Sequence, residues 1–195
     1  MRAPLPEPFE RFRVLFARAT AAQPKDPNAC TLATVDARGR PSVRVVLMKD
    51  FDEQGFVFFT NYESRKGREL VGQKVAALCF YWPSLDEQVR IEGDVAQVSP
   101  QESDAYFATR PRVSQLGAWA SHQSRPLGAR AELLDRLTEL TKQYEGRDVP
   151  RPPHWGGFRL APVAIEFWKA GEFRLHERSV YRRGAEGWDV ELLNP

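Results

Sequence analysis

The chain has 195 residues, 42% of them hydrophobic and 28% charged, enough for one domain with a real core or two small ones. Its formal charge of +2 lacks the large basic excess of a general nucleic-acid or acidic-membrane binder, while leaving local anion sites open. Two cysteines, Cys30 and Cys79, both inside apolar runs, do not make a disulfide framework, and neither a signal-peptide core nor a membrane-length apolar run occurs, so the expectation is a cytoplasmic protein with reduced thiols.

Residues 7–22 read as an amphipathic helix. Phe9, Phe12, Phe16 and Ala19 fall at helical spacing, Arg11, Arg13 and Arg18 lie elsewhere on the wheel, and Pro24 and Pro27 end it. Ala29–Val35 is a strand of small and β-branched residues. Asp36-Ala37-Arg38-Gly39 turns it into a return strand, Ser42–Lys49. A second turn, Asp50–Gly55, leads to a short buried strand, Phe56–Thr60, and then to a short helix near Arg65–Val71. Val75–Trp82 and Gln88–Val98 form another hairpin around Pro83-Ser84-Leu85-Asp86.

Helical signals then cluster. Ser99-Pro100-Gln101-Glu102 is a capping box with proline at the first helical position, opening a helix to about Thr109. Val113–Ala120 reads as a short helix. Pro126–Tyr144 reads as a longer one, with Leu133, Leu137, Leu140 and Tyr144 on one stripe and Gly146 as its stop. A proline-rich loop, Val149–Pro153, precedes Trp155–Arg178, which reads as two strands around a tight Lys169-Ala170-Gly171-Glu172 turn; Gly187–Leu193 is a last strand. Neither a repeat nor a composition shift divides the chain. The expectation is one domain over residues 1–195: an N-terminal helix in 1–24, barrel strands in 25–98, a helical segment in 99–146 and C-terminal strands in 155–195. The class is mainly β, a barrel with helices packed outside, and no parallel crossover units call for a Rossmann sheet.

Common chemical motifs are missing. The sequence has no GxxxxGK[ST] loop, no GxGxxG after a strand and no GxSxG elbow. His122, His154 and His176 are far apart and lack partners at metal-ligand spacing, so no metal is expected.

Four positive features remain. Ser64-Arg65-Lys66-Gly67 follows a strand, and a serine-capped helix start with two cations suits a phosphate as well as it suits solvent. Arg44-Val45-Val46-Leu47-Met48-Lys49 is an apolar strand bracketed by cations: either both ends emerge at the surface or an anionic ligand meets them. Tyr106 and Arg110 are spaced i, i+4 on the capped helix, with Arg112, Ser114, Gln123 and Ser124 following; a tyrosine, a guanidinium and a serine hydroxyl converging would suit a phosphate monoester. If Phe173–Ser179 is extended, Arg174, His176 and Arg178 share one face, a costly row unless something anionic faces it; the alternative is a solvated edge strand. Together these are two candidate phosphate sites with aromatic and apolar surface for rings.

At this point the chain resembles the pyridoxine/pyridoxamine 5′-phosphate oxidase family, from about Leu5 to Pro195. The resemblance rests on R-V-V-L-M-K (Arg44–Lys49), F-F-T-N-Y-E-S-R-K (Phe58–Lys66), Q-V (Gln88–Val89), Y-F-A-T-R-P-R-V-S-Q-L-G-A-W-A-S (Tyr106–Ser121), Q-S (Gln123–Ser124), W-G-G-F-R (Trp155–Arg159), E-F-W (Glu166–Trp168) and R-L-H-E-R (Arg174–Arg178). It implies an FMN-binding split β-barrel working as a homodimer, with each FMN at the subunit interface. It implies that Arg44, Val45, Val46, Leu47, Met48, Lys49, Phe59, Thr60, Arg65, Lys66, Gln88, Gln123, Ser124, Trp168 and Arg178 hold FMN. Lys49, Tyr106, Arg110 and Ser114 would hold the substrate phosphate, with Arg174, Leu175 and His176 beside the pyridine ring and Arg174 and His176 as the catalytic pair.

The implied reaction oxidises pyridoxamine or pyridoxine 5′-phosphate to pyridoxal 5′-phosphate, with O2 as acceptor and H2O2 as product. Several positions depart from the family pattern. Many members carry an N-terminal Arg-x-x-Tyr element that closes over the substrate, and Arg2 is not identified as its equivalent. Phe59 stands where tyrosine is frequent, Glu177 where aspartate is usual, and Asn194 where alanine is more usual. Two other functions remain in view: a same-fold flavin oxidase of the phenazine-pathway type, against which Lys49 and the Arg110–Trp119 run argue, and a non-catalytic FMN- or pyridoxal-phosphate-binding protein.

Overall fold

Period-two alternation shapes most of this chain, and the computed structural model, which describes residues 6–22 and 25–195, shows where the alternation leads. Eight strands form one antiparallel sheet: β1 (Ala29–Val35), β2 (Pro41–Asp52), β3 (Gly55–Asn61), β4 (Val75–Trp82), β5 (Glu87–Gln97), β6 (Trp155–Lys169), β7 (Glu177–Arg183) and β8 (Trp188–Leu192). The order is β3-β2-β1-β4-β5-β6-β7-β8, and β3 also pairs with β6. That extra pairing closes the first six strands into a barrel, as expected from the sequence, and leaves β7 and β8 as an extension. The long β6 makes closure possible. Its start, Trp155–Leu160, pairs with β3; its stretch from Phe158 to Lys169 pairs with β5; its end, Ala164–Lys169, pairs with β7. Where β3 begins, Gly55 has φ +139°, and a Cβ there would meet the Leu160 carbonyl oxygen at 2.0 Å, so the seam needs glycine.

Helix α1 (Glu7–Ala22) forms where the phenylalanine spacing places it, and its apolar face is part of the barrel core. Phe12 is fully buried and meets Phe51, Phe56 and Phe80 edge-on, with ring centroids 4.9–5.2 Å apart. Leu15 joins that face. Pro24, assigned from the sequence to end the helix, lies outside the described residues, as do Arg2 and Leu5.

Helix α2 (Arg65–Gln73) is capped by Ser64, whose Oγ accepts the Gly67 amide at 3.2 Å. A Cβ at Gly67 would lie 2.3 Å from the Tyr62 carbonyl oxygen, so glycine lets the first turn press against the end of β3. Helices α3 (Pro100–Ala108), α4 (Arg112–Ala120) and α5 (Arg130–Gln143) occupy the helical segment. The expected cap of α3 is present, with Ser99 accepting the Glu102 amide. The α5 stripe is shallower than its pattern implies. None of its side chains is buried, and Leu137, Leu140 and Tyr144 only half-cover a second apolar cluster built on Phe107, Leu116, Val149 and Trp155. Cys30 is buried as expected; Cys79 is half-buried. Among the described residues, no helix is long and apolar enough to cross a membrane.

One strand expectation fails. Phe173–Ser179 is not extended throughout, and the connection after β6 is not a tight turn. Glu172–Arg174 forms a single 3₁₀ turn, Phe173 and Arg174 have φ of 56° and 63°, and β7 begins only at Glu177. Left-handed backbone at two successive non-glycine residues breaks the alternation that would have put Arg174, His176 and Arg178 in one row.

Candidate active site

Two concave regions contain most of the residues singled out from the sequence. The first, a cavity of about 680 Å³, opens between the barrel and the helical segment. Strand β2 contributes Val45, Val46, Leu47 and Lys49; β3 contributes Phe59 and Thr60; α2 contributes Lys66; the far wall carries Tyr106, Arg110, Ser114 and Gln123. Both candidate phosphate seats therefore share one space. Its volume is in the range of small-molecule and cofactor sites.

At one end, Lys66 Nζ donates to Thr60 Oγ1 at 3.2 Å and Gln123 Oε1 at 3.0 Å. Burial lowers its pKa, and the charge of nearby Arg44 lowers it further. At the other end, the Phe59, Tyr106 and Trp155 rings form a nearly parallel pile, with Phe59 4.0 Å from Tyr106 and 5.4 Å from Trp155. The Arg110 guanidinium lies 4.7 Å from the Trp155 ring centroid. Arg110 Nη1 is buried and has no hydrogen-bond partner among the described residues. Burial pushes the Arg110 pKa down, with Tyr106 opposing the shift. A desolvated guanidinium N–H without an acceptor is costly, and an anion in the cavity would supply one. Arg110 sits just beyond the end of α3 rather than within it. Its amide bonds back to Phe107 at 3.1 Å, which keeps it near Tyr106.

The second concavity, about 530 Å³, lies on the β6–β8 extension and includes Trp168, His176 and Arg178. In the strand registers Gln88 faces Trp168, and Trp168 faces Arg178, so these three form one row across β5, β6 and β7. Glu166 fixes the arginine, accepting from Arg178 Nε at 2.9 Å and from Arg90 Nη1 at 3.1 Å. The His176 ring centroid is 4.7 Å from that of Trp168, and its Nδ1 accepts the Gly171 amide at 3.2 Å. That bond places any proton on Nε2 when the ring is neutral. Arg11, from α1, also lines this concavity, donating to Ser179 Oγ at 2.7 Å.

The remaining residues divide as follows. Alternation along β2 sends Met48 into the core and turns Arg44 inward to Thr34, Ser42 and Glu69, so neither side chain lines the first cavity. Arg65, itself exposed, pairs with the buried Glu69 at 2.8 Å and does not line the first cavity. Ser124, with φ of 67°, lines a neighbouring depression beside His122 and Arg136 that shares Ser121 and Gln123 with the first cavity. Arg174 and Leu175 line neither large concavity; they are exposed on the 3₁₀ loop, beside a Phe173 that is 89% exposed. Sequence reasoning missed two contributors. Trp155, whose ring centroid lies 4.7 Å from the Arg110 guanidinium, and Glu69, only 8% exposed, were not singled out.

The two concavities share no lining residue. Neither alone combines the aromatic row and His176 with the two cationic seats.

Comparison with known proteins gives this arrangement a family. Residues 16–144 match the model of pyridoxamine 5′-phosphate oxidase, and residues 155–195 match the pyridoxine 5′-phosphate oxidase C-terminal dimerisation region. The chain is 58% identical over 190 residues to the pyridoxine/pyridoxamine 5′-phosphate oxidase of Myxococcus xanthus (strain DK1622), covering 97% of this chain and 92% of that one. It is 56% identical to the enzyme of that name from Anaeromyxobacter dehalogenans (strain 2CP-C), covering 97% and 96%. Among solved structures, PhzG from Burkholderia lata 383, in complex with tetrahydrophenazine-1-carboxylic acid, superposes with a TM-score of 0.92 at 35% identity, covering 98% of this chain and 94% of that one. A pyridoxamine 5′-phosphate oxidase-related, FMN binding protein from Nostoc punctiforme PCC 73102 has the same fold, with a TM-score of 0.75 at 22% identity and coverage of 94% and 97%. The matched dimerisation region implies a homodimer, and the family implies a flavin enzyme acting on a small molecule. With matching family models and relatives 56–58% identical over 97% of its length, the chain belongs to the pyridoxine/pyridoxamine 5′-phosphate oxidase family.

Proposed function

We propose that the protein oxidises pyridoxamine and pyridoxine 5′-phosphate to pyridoxal 5′-phosphate, using FMN and O2 and releasing H2O2. The observation that carries this reading is Arg110: a half-buried arginine whose Nη1 is buried and has no partner among the described residues, in the same cavity as a second cation, Lys66, at the far end. Two anion seats in one space suit a phosphorylated cofactor beside a phosphorylated substrate. Lys49, Tyr106, Arg110 and Ser114 would hold the substrate phosphate. Lys66, Thr60 and Gln123 would hold the FMN phosphate, with Arg44, Arg65 and Ser124 around it and residues 45–48 of β2 alongside.

Two copies complete the site on this reading. Trp168, Arg178 and their neighbour His176 belong to the dimerisation region, Gln88 extends their row from β5, and the row would face the first cavity of the partner subunit. The exposed loop carrying Arg174 and Leu175 would reach the substrate ring in the same way. Val45, 67% exposed beside that cavity, and Val43 on the same face of β2 offer apolar surface for the contact.

Bound FMN would supply the two-electron acceptor for the hydride equivalent leaving the substrate C4′, with O2 as the final electron acceptor. The protein's task is orientation and charge. Anchoring the phosphate on Arg110 and Lys49 fixes one end of the substrate, and Arg174 and His176 fix the ring at the other, which together set the reacting carbon in place. Trp155, stacked under Arg110, keeps the guanidinium flat and water-poor. That strengthens each hydrogen bond it gives to phosphate.

The test is direct. Purified protein should be yellow and should consume O2 with pyridoxamine 5′-phosphate but far less with pyridoxamine. Bound flavin without turnover would instead indicate a binding protein. Flavin reduced only by an unphosphorylated ring acid would indicate an activity closer to that of the phenazine-type relative.

A further inference from the structure

Glu69 is a carboxylate set between two arginines, Arg44 and Arg65. It sits on the second turn of α2 and is nearly fully buried. Its oxygens divide the work. Oε1 accepts from Arg65 Nε at 2.8 Å; Oε2 accepts from Thr34 Oγ1 at 2.5 Å and Ser42 Oγ at 2.9 Å and faces Arg44 Nη2 at 3.4 Å. Thr34 and Ser42 belong to β1 and β2, so the carboxylate ties the helix to two barrel strands. Arg44 donates to the same two hydroxyls and to the Leu32 and Ser42 carbonyls.

We propose that Glu69 is a positioning residue for the flavin phosphate: it holds Arg44 and Arg65, one on each oxygen, and sets the net charge of the seat they form with Lys66. This rests on the assignment of FMN to that seat. The argument is electrostatic. Arg44 and Arg65 repel one another, and Arg44 also acts on Lys66, so the three cations would spread apart if nothing held them. A carboxylate bridging two of them holds the cluster together. It also leaves two net positive charges among the four groups, a match for a phosphate monoester carrying about −1.5 to −2 at neutral pH. Burial alone would push the Glu69 carboxyl up. The hydrogen bonds from Thr34, Arg65 and Ser42 and the charge of Arg65 outweigh it and bring the value to about 2, so the group stays charged throughout the working range.

Glutamine at this position has nearly the same shape but no charge, so Glu69→Gln isolates the electrostatic role. Apoprotein should be titrated with FMN and, separately, with riboflavin, which lacks the phosphate. The expected result is a Kd for FMN raised about 10-fold or more, with the Kd for riboflavin changed less than about 2-fold, because only the phosphate end loses ordered donors. Thr34→Val, which removes one hydroxyl from Oε2 at constant shape, should give the same selectivity at a few-fold magnitude, and it serves if Glu69→Gln does not fold. Equal weakening of both flavins would make Glu69 merely structural. Unchanged or tighter FMN binding would mean that the carboxylate opposes the phosphate. Either result overturns the proposal while leaving the flavin assignment intact. Wild-type protein that binds FMN no better than riboflavin would overturn that assignment itself.

Discussion

The Arg110 guanidinium lies 4.7 Å from the centre of the Trp155 ring, and its Nη1 is buried with no partner among the described residues. Proteins seldom keep such a group unless it serves a ligand. Arg110→Met tests this in two opposite directions. Losing charge-assisted hydrogen bonds worth about 1.5–3 kcal/mol each should raise the KM for pyridoxamine 5′-phosphate about 10- to 100-fold in steady-state assays. The melting temperature should hold or rise, because the variant no longer desolvates an unpaired cation. A lower melting temperature with unchanged KM would make Arg110 a structural residue.

Glu166 holds Arg178 and Arg90 together beside Trp168. Its side chain is 11% exposed, so Glu166→Gln leaves the part-buried Arg178 guanidinium without its carboxylate, while Arg90 keeps Glu92. Urea unfolding should show a loss of about 1–3 kcal/mol. FMN affinity, read by fluorescence titration, should fall together with stability, unlike the selective loss expected at Glu69. A stable variant with unchanged flavin affinity would exclude Arg178 from the flavin site.

The Glu69 carboxyl also fixes a pH window. Its value in the folded protein, about 2, lies below the ordinary 4.5. A group depressed on folding contributes stability above its unfolded value, and that contribution fades as pH falls toward the folded value. The stability gap between wild type and Glu69→Gln should therefore be constant above about pH 5 and shrink steadily between roughly pH 4.5 and 2. Urea unfolding at a series of pH values measures it, and a gap that stayed level to pH 2 would contradict the assignment.

The sequence showed the hairpins because their signals are local. Ala29–Val35 and Val75–Trp82 are short runs rich in small, apolar and β-branched residues, and the turns between strands carry glycine, proline or aspartate. The closure of β3 on β6 joins segments about a hundred residues apart and leaves no periodic trace. The Arg174–His176–Arg178 row failed for a backbone reason. Arg-Leu-His-Glu-Arg alternates like a strand, and nothing in side-chain type reveals that Phe173 and Arg174 adopt positive φ. Glu69 was hidden because Arg65 and Glu69 form an ordinary i, i+4 surface pair. A signal existed: alternation along β2 puts Arg44 on the inward face, and an inward arginine calls for a buried carboxylate.

On the proposed function, each active site combines the first cavity of one subunit with the second concavity and the Arg174 loop of its partner. Subunit complementation tests it most directly. Arg110→Ala disables one half-site and Arg174→Ala the other, and each variant homodimer should be nearly inactive. Co-refolded in equal amounts, half the dimers are mixed, and each mixed dimer has one site with both arginines intact, so O2 uptake should recover to about a quarter of the wild-type rate. No recovery, with mixed dimers demonstrated by differential tagging, would place Arg110 and Arg174 of the same subunit in one site and contradict the account.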